Sequence, residues 1–157
     1  MPNLPVLVIG GGPAGLEAAK GIADLGYNSI LVDKADFLGG NPIFADYAAI
    51  TPDMRSAEEA MDEMIAKVMV NPLVDVRLNT TVAASEGDAP HINVTLKNGK
   101  GEEKVDVGSI VVATGFQHFD PGKETQMYGY YEFDDVITLV DAERMLKAGN
   151  FIQPSTG

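Results

Sequence analysis

Val6-Leu7-Val8-Ile9-Gly10-Gly11-Gly12-Pro13-Ala14-Gly15 stands near the start of this chain, and Ile30-Leu31-Val32-Asp33 follows it. An apolar run enters a glycine cluster, the glycines open an amphipathic stretch, and a second apolar run ends in an acid about 20 residues further on. That order is strand, tight turn, helix, strand. Each residue has a separate mechanical job. Gly10 permits the tight strand-to-helix turn, Gly12 leaves the backbone open to a pyrophosphate, and Gly15 lets the helix lie close to the sheet. Pro13 suits the first helical position because the N–H it lacks would be unpaired there. The free N–H groups and dipole of the helix favour phosphate charge. Asp33, at the carboxyl end of the second strand, can accept hydrogen bonds from ribose hydroxyls. The stretch therefore predicts a βαβ unit that binds a dinucleotide.

The surrounding residues extend the pattern. Ala19 places a small side chain where the helix faces the sheet, and Gly26 closes the helix end. A plain βαβ turn that binds nothing, with Asp33 facing water, is the competing reading. The strand before, the helix after and the acid at the right reach favour the binding reading.

Composition narrows the function classes. With 157 residues, one domain is the default and a sizeable core is possible. An apolar fraction of 45% is that of a soluble globular protein. No apolar run is long enough to span a bilayer, and residues 4–9 read as a strand rather than a signal peptide, which predicts a cytoplasmic protein. A net charge of -12 argues against nucleic-acid binding and against an anionic membrane surface, both of which need clustered Lys and Arg. The chain has no cysteine, which excludes disulfides, thiolate-ligated iron–sulfur clusters and a redox-active Cys-x-x-Cys. Its two histidines, His91 and His118, lie far apart and show no metal-ligand spacing, so they read as surface or strand residues and no metal site is expected.

Further along, the loop Phe37-Leu38-Gly39-Gly40-Asn41-Pro42 follows the second strand, and residues 43–55 read as irregular. A helix is expected from Ser56, with Ser56 and Glu59 as a capping box. Ala57, Met61, Met64, Ile65 and Val68 recur at helical spacing and predict a core-facing stripe, the methionines filling gaps. From Leu73 the period changes to two. Val74, Val76 and Leu78 alternate with polar residues, as do Ile92, Val94 and Leu96. Asn98-Gly99 signals a hairpin, and Lys104 to Val107 returns as a strand. This predicts a small antiparallel meander inserted before a buried strand, Ile110-Val111-Val112, which ends in Ala113-Thr114-Gly115. Near the other end, Val136-Ile137 precedes a short helix expected after Thr138, with Asp141 as its capping-box partner. The fold class is thus α/β, a Rossmann-like domain with a parallel sheet and an inserted β-meander.

With the meander and Ala113-Thr114-Gly115 in place, the chain resembles the flavoproteins with two dinucleotide-binding domains, in which the first motif carries FAD. The resemblance implies that the backbone around Gly10, Gly12, Pro13, Ala14 and Gly15 holds the FAD pyrophosphate and that Asp33 holds the adenosine ribose. It implies that Gly39 and Gly40 line the path toward the flavin, that Val82 reads adenine through its main chain, and that Ala113, Thr114 and Gly115 pack beside the cofactor. Lys34 and Asn41, which flank the acid and the glycine pair, complete the implied cofactor-binding set. A narrower resemblance is to the A-type subunit of heterodisulfide reductase and to the flavoprotein subunits of quinone-interacting oxidoreductases. It rests on the run Asp106-Val107-Gly108-Ser109-Ile110-Val111-Val112-Ala113-Thr114-Gly115-Phe116. Phe119-Asp120-Pro121, Tyr128-Gly129-Tyr130, Val136-Ile137-Thr138 and Glu143-Arg144-Met145-Leu146 follow in the same order, and Thr51-Pro52-Asp53-Met54 matches a loop after the glycine pair. That resemblance implies FAD relaying electrons to partner subunits.

The chain departs from these families in several places. The ribose acid is Asp33 where Glu is usual. Gly108 replaces an acid usual in the broad superfamily. The cysteines before the Thr-Pro-x-Met segment and the ferredoxin-like insertion before Ala-Thr-Gly are absent, so cluster-linked electron transfer within this chain is ruled out. No second G-x-G-x-x-G and no returning Gly-Asp strand follow, so the chain reads as a domain over residues 1–157 that is incomplete relative to the family, with the ADP half of the site present and the flavin half not. No acid, base or nucleophile is arranged for chemistry, and catalysis would come from the flavin. Tyr128, Tyr130, Tyr131 and Phe133 read as loop packing or as facing a missing domain, rather than as a flavin stack. The leading functional expectation is the FAD-binding portion of a flavin-dependent oxidoreductase that works with protein partners. The alternatives are a non-catalytic FAD- or ADP-binding assembly module, which would hold FAD weakly or not at all, and a NAD(P)-binding protein.

Overall fold

A computed structural model describes residues 4–123 and 128–157. The chain divides into two compact units, one built from residues up to 40 with 61–115, the other from 41–60 with 116–157.

The first unit is organised by β1 (Val6–Ile9), α1 (Pro13–Asp24) and β2 (Ser29–Val32). β1 and β2 pair in parallel, Val6 against Ser29 through Ile9 against Val32. β5 (Val74–Arg77) joins the outer side of β2, and β9 (Ser109–Val112) the outer side of β1, giving the parallel order β5-β2-β1-β9. Parallel strands need crossovers, and α1 and α3 (Ala57–Met69) precede β2 and β5 to supply them. β1 and β2 read as unbroken apolar runs because both their faces are covered. Successive side chains alternate between those faces. Leu7, Ile30 and Val32 meet Val94, Leu96 and Val107 of the meander on one face. Val8 and Leu31 meet Leu16 and Ala19 of α1 and Val68 of α3 on the other. The expected stripe of α3 is therefore a core face, with Met61 and Val68 fully buried and Met64 and Ile65 packed against the core. The Glu59 N–H donates to Ser56 Oγ at 3.4 Å at the start of that helix.

The meander is present, but its strands differ from those read off the alternation. It consists of β6 (Thr81–Asp88), β7 (His91–Asn98) and β8 (Gly101–Val107), in the order β6-β7-β8. The segment with Val74 and Val76 is instead the edge strand β5 of the parallel sheet. An edge strand shows the same period-two pattern as a meander strand, so alternation alone did not separate them. β6 escaped notice because all of it except Val82 is exposed, leaving Thr-Val-Ala-Ala-Ser-Glu-Gly-Asp without an apolar period. β9 was expected to be buried. It is the outer strand of the described sheet, and its Val112 is 71% exposed.

The second unit contains α2 (Asn41–Phe44), the two-residue strands β3 (Ala49–Ile50) and β4 (Arg55–Ser56), and α4 (Leu139–Lys147). The segment expected to be irregular thus holds a short helix and an antiparallel pair, Ala49 against Ser56 and Ile50 against Arg55. Elements this short carry no readable period. α4 begins as expected. The Thr138 side chain accepts from the Asp141 N–H at 3.2 Å, and Asp141 Oδ2 accepts from the Thr138 N–H at 2.9 Å. Distant stretches of the sequence are tied together here: the Ala48 N–H donates to Glu143 Oε2 at 3.0 Å, and Lys147 Nζ reaches Asp46 Oδ1 at 3.1 Å.

Candidate functional site

The candidate site lies in the first unit, where β1 gives way to α1. Gly10 has a φ of +110°, and a Cβ there would run into the Ala113 carbonyl oxygen. A Cβ on Gly15 would run into the Gly10 carbonyl oxygen. Both glycines are therefore demanded by the protein itself: the turn, the helix and the end of β9 are packed backbone to backbone. Gly12 is different. Its backbone is ordinary extended chain, and an added Cβ would meet only Gly40 Cα at 3.7 Å, a normal contact. Nothing in the protein's own packing requires glycine at 12. Gly12 is also the N-cap of α1, it offers no side-chain cap, and the first turn carries no acid. The leading N–H groups of a helix have no partner within it. This helix thus presents uncapped N–H groups and its dipole beside a residue with an open face, and that is the fit a pyrophosphate requires.

Asp33 is bound into the same loop. Its Oδ2 accepts from the Gly11 N–H at 2.5 Å and its Oδ1 from the Ala35 N–H at 2.8 Å. Each carboxylate oxygen has two acceptor positions, so both retain one for a ribose hydroxyl. The backbone of Asp33 is fixed as well: its N–H donates to the Arg77 carbonyl at 3.1 Å, and its carbonyl accepts from the Thr80 N–H at 2.8 Å. Thr80 is buried and leads directly into β6, which carries the half-buried Val82 opposite Leu96, next to an irregularity in the ladder between Val82 and Ala84. Lys34 is exposed.

Gly39 and Gly40 fold onto the glycine loop. The Gly39 N–H donates to the Gly11 carbonyl at 2.8 Å, and both glycines have positive φ, +109° and +60°. A Cβ on Gly40 would stand 2.8 Å from Gly12 Cα. Ala113 continues the pairing of β9, its N–H donating to the Ile9 carbonyl at 2.8 Å, while Thr114 and Gly115 (φ +71°) are exposed beyond it. The structure thus gathers Gly10, Gly12, Pro13, Ala14, Gly15, Asp33, Gly39, Gly40 and Ala113 around one loop. Asn41 belongs to the second unit, where its Nδ2 donates to the Phe116 carbonyl at 2.9 Å.

Sequence reasoning missed two residues, Gly11 and Leu38. Gly11 touches both Asp33 and Gly39, and Leu38 is buried in the helix-side core. The third consecutive glycine and an apolar residue inside a glycine-rich loop were the available signals.

In the second unit the Tyr47 hydroxyl lies 3.1 Å from His118 Nε2, and the His118 ring packs edge-on to Tyr47 and Phe116. Burial, with Glu143 nearby, pushes the Tyr47 hydroxyl pKa up. His118 also lines a cavity of about 480 Å³ with Phe119, Tyr128, Tyr130 and Leu139. Tyr130 donates to Asp141 Oδ2 at 3.0 Å, whereas Tyr131 and Phe133 are largely exposed. Among the described residues there is no group of three or more His, Asp or Glu placed to hold a metal, and no helix is long and apolar enough to cross a membrane.

The family model described as pyridine nucleotide-disulphide oxidoreductase matches residues 4–149, nearly the whole chain. The chain belongs to this family. Its relatives include the first A-type iron-sulfur subunit of the CoB–CoM heterodisulfide reductase of Methanopyrus kandleri, 24% identical over 235 residues, a match covering 97% of this chain and 35% of the relative. The matched region is longer than the 157 residues of this chain, so the relative carries additional residues inside it. Over a shorter stretch, 61 residues and 36% of the chain, identity rises to 41% with the A-type subunit of the H(2)/formate:CoB-CoM heterodisulfide,ferredoxin reductase of Methanococcus maripaludis, 9% of that protein. Among solved structures, L-proline dehydrogenase from P. horikoshii superposes with a TM-score of 0.64 at 22% identity, covering 71% of this chain and 22% of that one. The fold is therefore an α/β Rossmann fold shared with that enzyme. The homology to the A-type heterodisulfide reductase subunits is distant, and the chain spans about a third of the length of the relative matched most fully.

Proposed function

We propose that this chain is the FAD-binding portion of a flavin-dependent oxidoreductase related to the A-type subunit of heterodisulfide reductase, and that it holds the ADP half of FAD while partner subunits supply and accept electrons. One observation carries the reading. α1 starts uncapped at Gly12, whose open face the protein's own packing does not use, and Asp33 is hydrogen-bonded into the same loop. The N–H groups at the start of α1, around Gly12, Pro13 and Ala14, would hold the two phosphates. Asp33 would take the ribose hydroxyls, Val82 the adenine edge, and Gly39, Gly40, Ala113, Thr114 and Gly115 the remaining approach. Lys34 and Asn41 flank that set. FAD, when bound, supplies the electron-transfer chemistry. The chain's residues bind and orient it, and with no cysteine they add no iron–sulfur centre of their own.

The names of the relatives support the part played by partners, since they are subunits of larger reductases. The test is an absorbance spectrum of the purified protein, followed by calorimetric titration with FAD, ADP and NADH. Flavin bands with stoichiometric FAD, or tight FAD and ADP binding with weak NADH binding, support the reading. NADH bound in preference to FAD, or no binding of FAD or ADP, refutes it.

A further inference from the structure

The second unit holds a cavity of about 480 Å³ that the proposed FAD site does not use. Phe116, His118, Phe119, Tyr128, Tyr130 and Leu139 belong to its wall. Among the described residues, that wall contains no Asp, Glu, Lys or Arg, in a chain whose net charge is -12. A charged ligand would find no counter-ion there, so the wall selects a neutral one. Phe119, Tyr128 and Leu139 are exposed, Leu139 to 76%, and covering their apolar surface is favourable. The aromatic rings meet edge-on: Phe116 and His118 with centroids 5.1 Å apart, Phe119 and Tyr128 with centroids 6.1 Å apart. Edge-on pairs leave ring faces uncovered, and a flat aromatic ligand packs well against such faces.

The polar groups of the wall narrow the ligand further. Tyr130 donates to Asp141 Oδ2 at 3.0 Å, and the Thr138 hydroxyl donates to the same oxygen at 2.7 Å. Gln117 and Tyr128 are exposed and keep water as a partner. His118 is half engaged. Its Nε2 lies 3.1 Å from the Tyr47 hydroxyl, and Tyr47 stands outside the cavity wall. Burial and the nearby Glu143 carboxylate keep that hydroxyl protonated, so it donates to Nε2. A neutral imidazole that accepts at Nε2 carries its proton on Nδ1. Nδ1 has no partner among the described residues, so it is a donor still to be satisfied.

We infer that this cavity binds a neutral, planar aromatic molecule carrying an acceptor oxygen. His118 Nδ1–H donates to that oxygen, Tyr47 positions the imidazole, and the ring packs against Phe119, Tyr128 and Leu139. The inference goes beyond the proposed FAD site and does not rest on it, since the glycine loop belongs to the first unit and the cavity to the second.

The experiment uses two probes of one shape: 2-acetonaphthone, which has a ketone oxygen, and 2-isopropenylnaphthalene, which has a methylene group in its place. Equilibrium dialysis at pH 8 measures both against the purified chain, His118→Phe, Tyr47→Phe and Leu139→Asp. In His118→Phe the ketone Kd rises about five- to tenfold, the loss of one hydrogen bond, while the hydrocarbon Kd stays within about twofold. Tyr47→Phe raises the ketone Kd alone, by about threefold. Leu139→Asp weakens both probes more than about tenfold, by placing a charge against the ring. Its acid falls in the first turn of α4, where the helix dipole favours it, so this variant folds. No binding of either probe, equal losses for both in His118→Phe, or undiminished binding in Leu139→Asp overturns the inference. So does a dimer that Leu139→Asp dissociates, because a second copy would then fill the cavity. If His118→Phe fails to fold, the imidazole nitrogen resonances of the wild type decide, with His91 as the internal control. They are expected to show His118 protonated at Nδ1 and shifted by the ketone but not by the hydrocarbon. Protonation at Nε2 alone, or the same shift with both probes, refutes the donor role. ADP titration keeps the two sites apart: a chain that binds ADP but neither probe refutes this inference alone, and one that binds the ketone but neither ADP nor FAD refutes the proposed function alone.

Discussion

Gly12→Ala and Gly15→Ala change one hydrogen to a methyl three residues apart, and the structure assigns them opposite consequences. At Gly15 the methyl would stand 2.9 Å from the Gly10 carbonyl carbon and closer still to its oxygen. That neighbour is backbone, so the helix itself must move off the sheet. The cost is about 3 kcal/mol, the upper end for overpacking, which lowers Tm by about 6–12 °C in a domain of this size. At Gly12 the methyl meets Gly40 Cα at 3.7 Å, within ordinary contact, on a backbone any residue adopts. The only stability cost is a poorer N-cap, about 1 kcal/mol and about 2–4 °C. Its effect falls on the ligand. The methyl occupies the face a pyrophosphate must approach and forfeits about one charge-assisted hydrogen bond, about 1.5–3 kcal/mol, or about 10- to 150-fold in ADP affinity. Circular-dichroism melts and ADP titrations of both variants form the assay. ADP binding by Gly12→Ala at wild-type strength refutes the assignment of the phosphate site. A melting temperature for Gly12→Ala as low as that of Gly15→Ala refutes the steric reasoning.

Asp33→Asn turns an amide NH2 toward one of the two backbone N–H groups the carboxylate now satisfies. Urea unfolding is expected to show a loss of about 1–3 kcal/mol. Ser29 Oγ is buried and has no partner among the described residues, so Ser29→Ala should leave stability unchanged or raise it by about 1 kcal/mol, and a drop of similar size in the same assay would contradict this. Thr138→Ala removes the cap of α4 and should cost about 1 kcal/mol of helix stability, read by helical signal against temperature. Partial burial pushes the Asp141 carboxyl up, but bonds from the Thr138 side chain and backbone, from Tyr130, and the nearby Arg144 outweigh it and hold its pKa below the ordinary carboxylate value. Its contribution is therefore complete above the unfolded-state value, about 4, and is lost as pH falls through the lower folded value. A melt series from neutral pH to about pH 2 should show this loss in the wild type and a weaker one in Thr138→Ala; equal slopes would rule out the capping bonds as its cause.

Much of the architecture is legible in the sequence. β1, α1, β2 and the capped start of α4 stand where their patterns placed them, because each is decided by interactions within a few residues: apolar periodicity, a proline at the first helical turn, a reciprocal cap. The Gly39-Gly40 loop and the Ala113 strand end also sit beside the fingerprint. The misreadings share one physical origin. Val74-Asp75-Val76-Arg77 alternates both in a meander and at the edge of a parallel sheet, and only its partner β2 decides which it is. The exposed strand β6 has no apolar code of its own, since hydrogen bonds to β7 hold it in place.

Local chemistry in the sequence was enough to determine a glycine loop, a helix start and an acid directly after the second strand, because those follow from backbone sterics and nearest-neighbour hydrogen bonding. Which glycine does what was decided by the tertiary structure. Gly10 and Gly15 are required by backbone that comes from the end of β9 and from the turn itself, Gly12 by nothing in the protein, and at Gly11 an added Cβ would meet the side-chain tip of a leucine more than twenty residues further along the chain. Steric need is a property of what lies across a contact, and the spacing of residues along a chain does not record it.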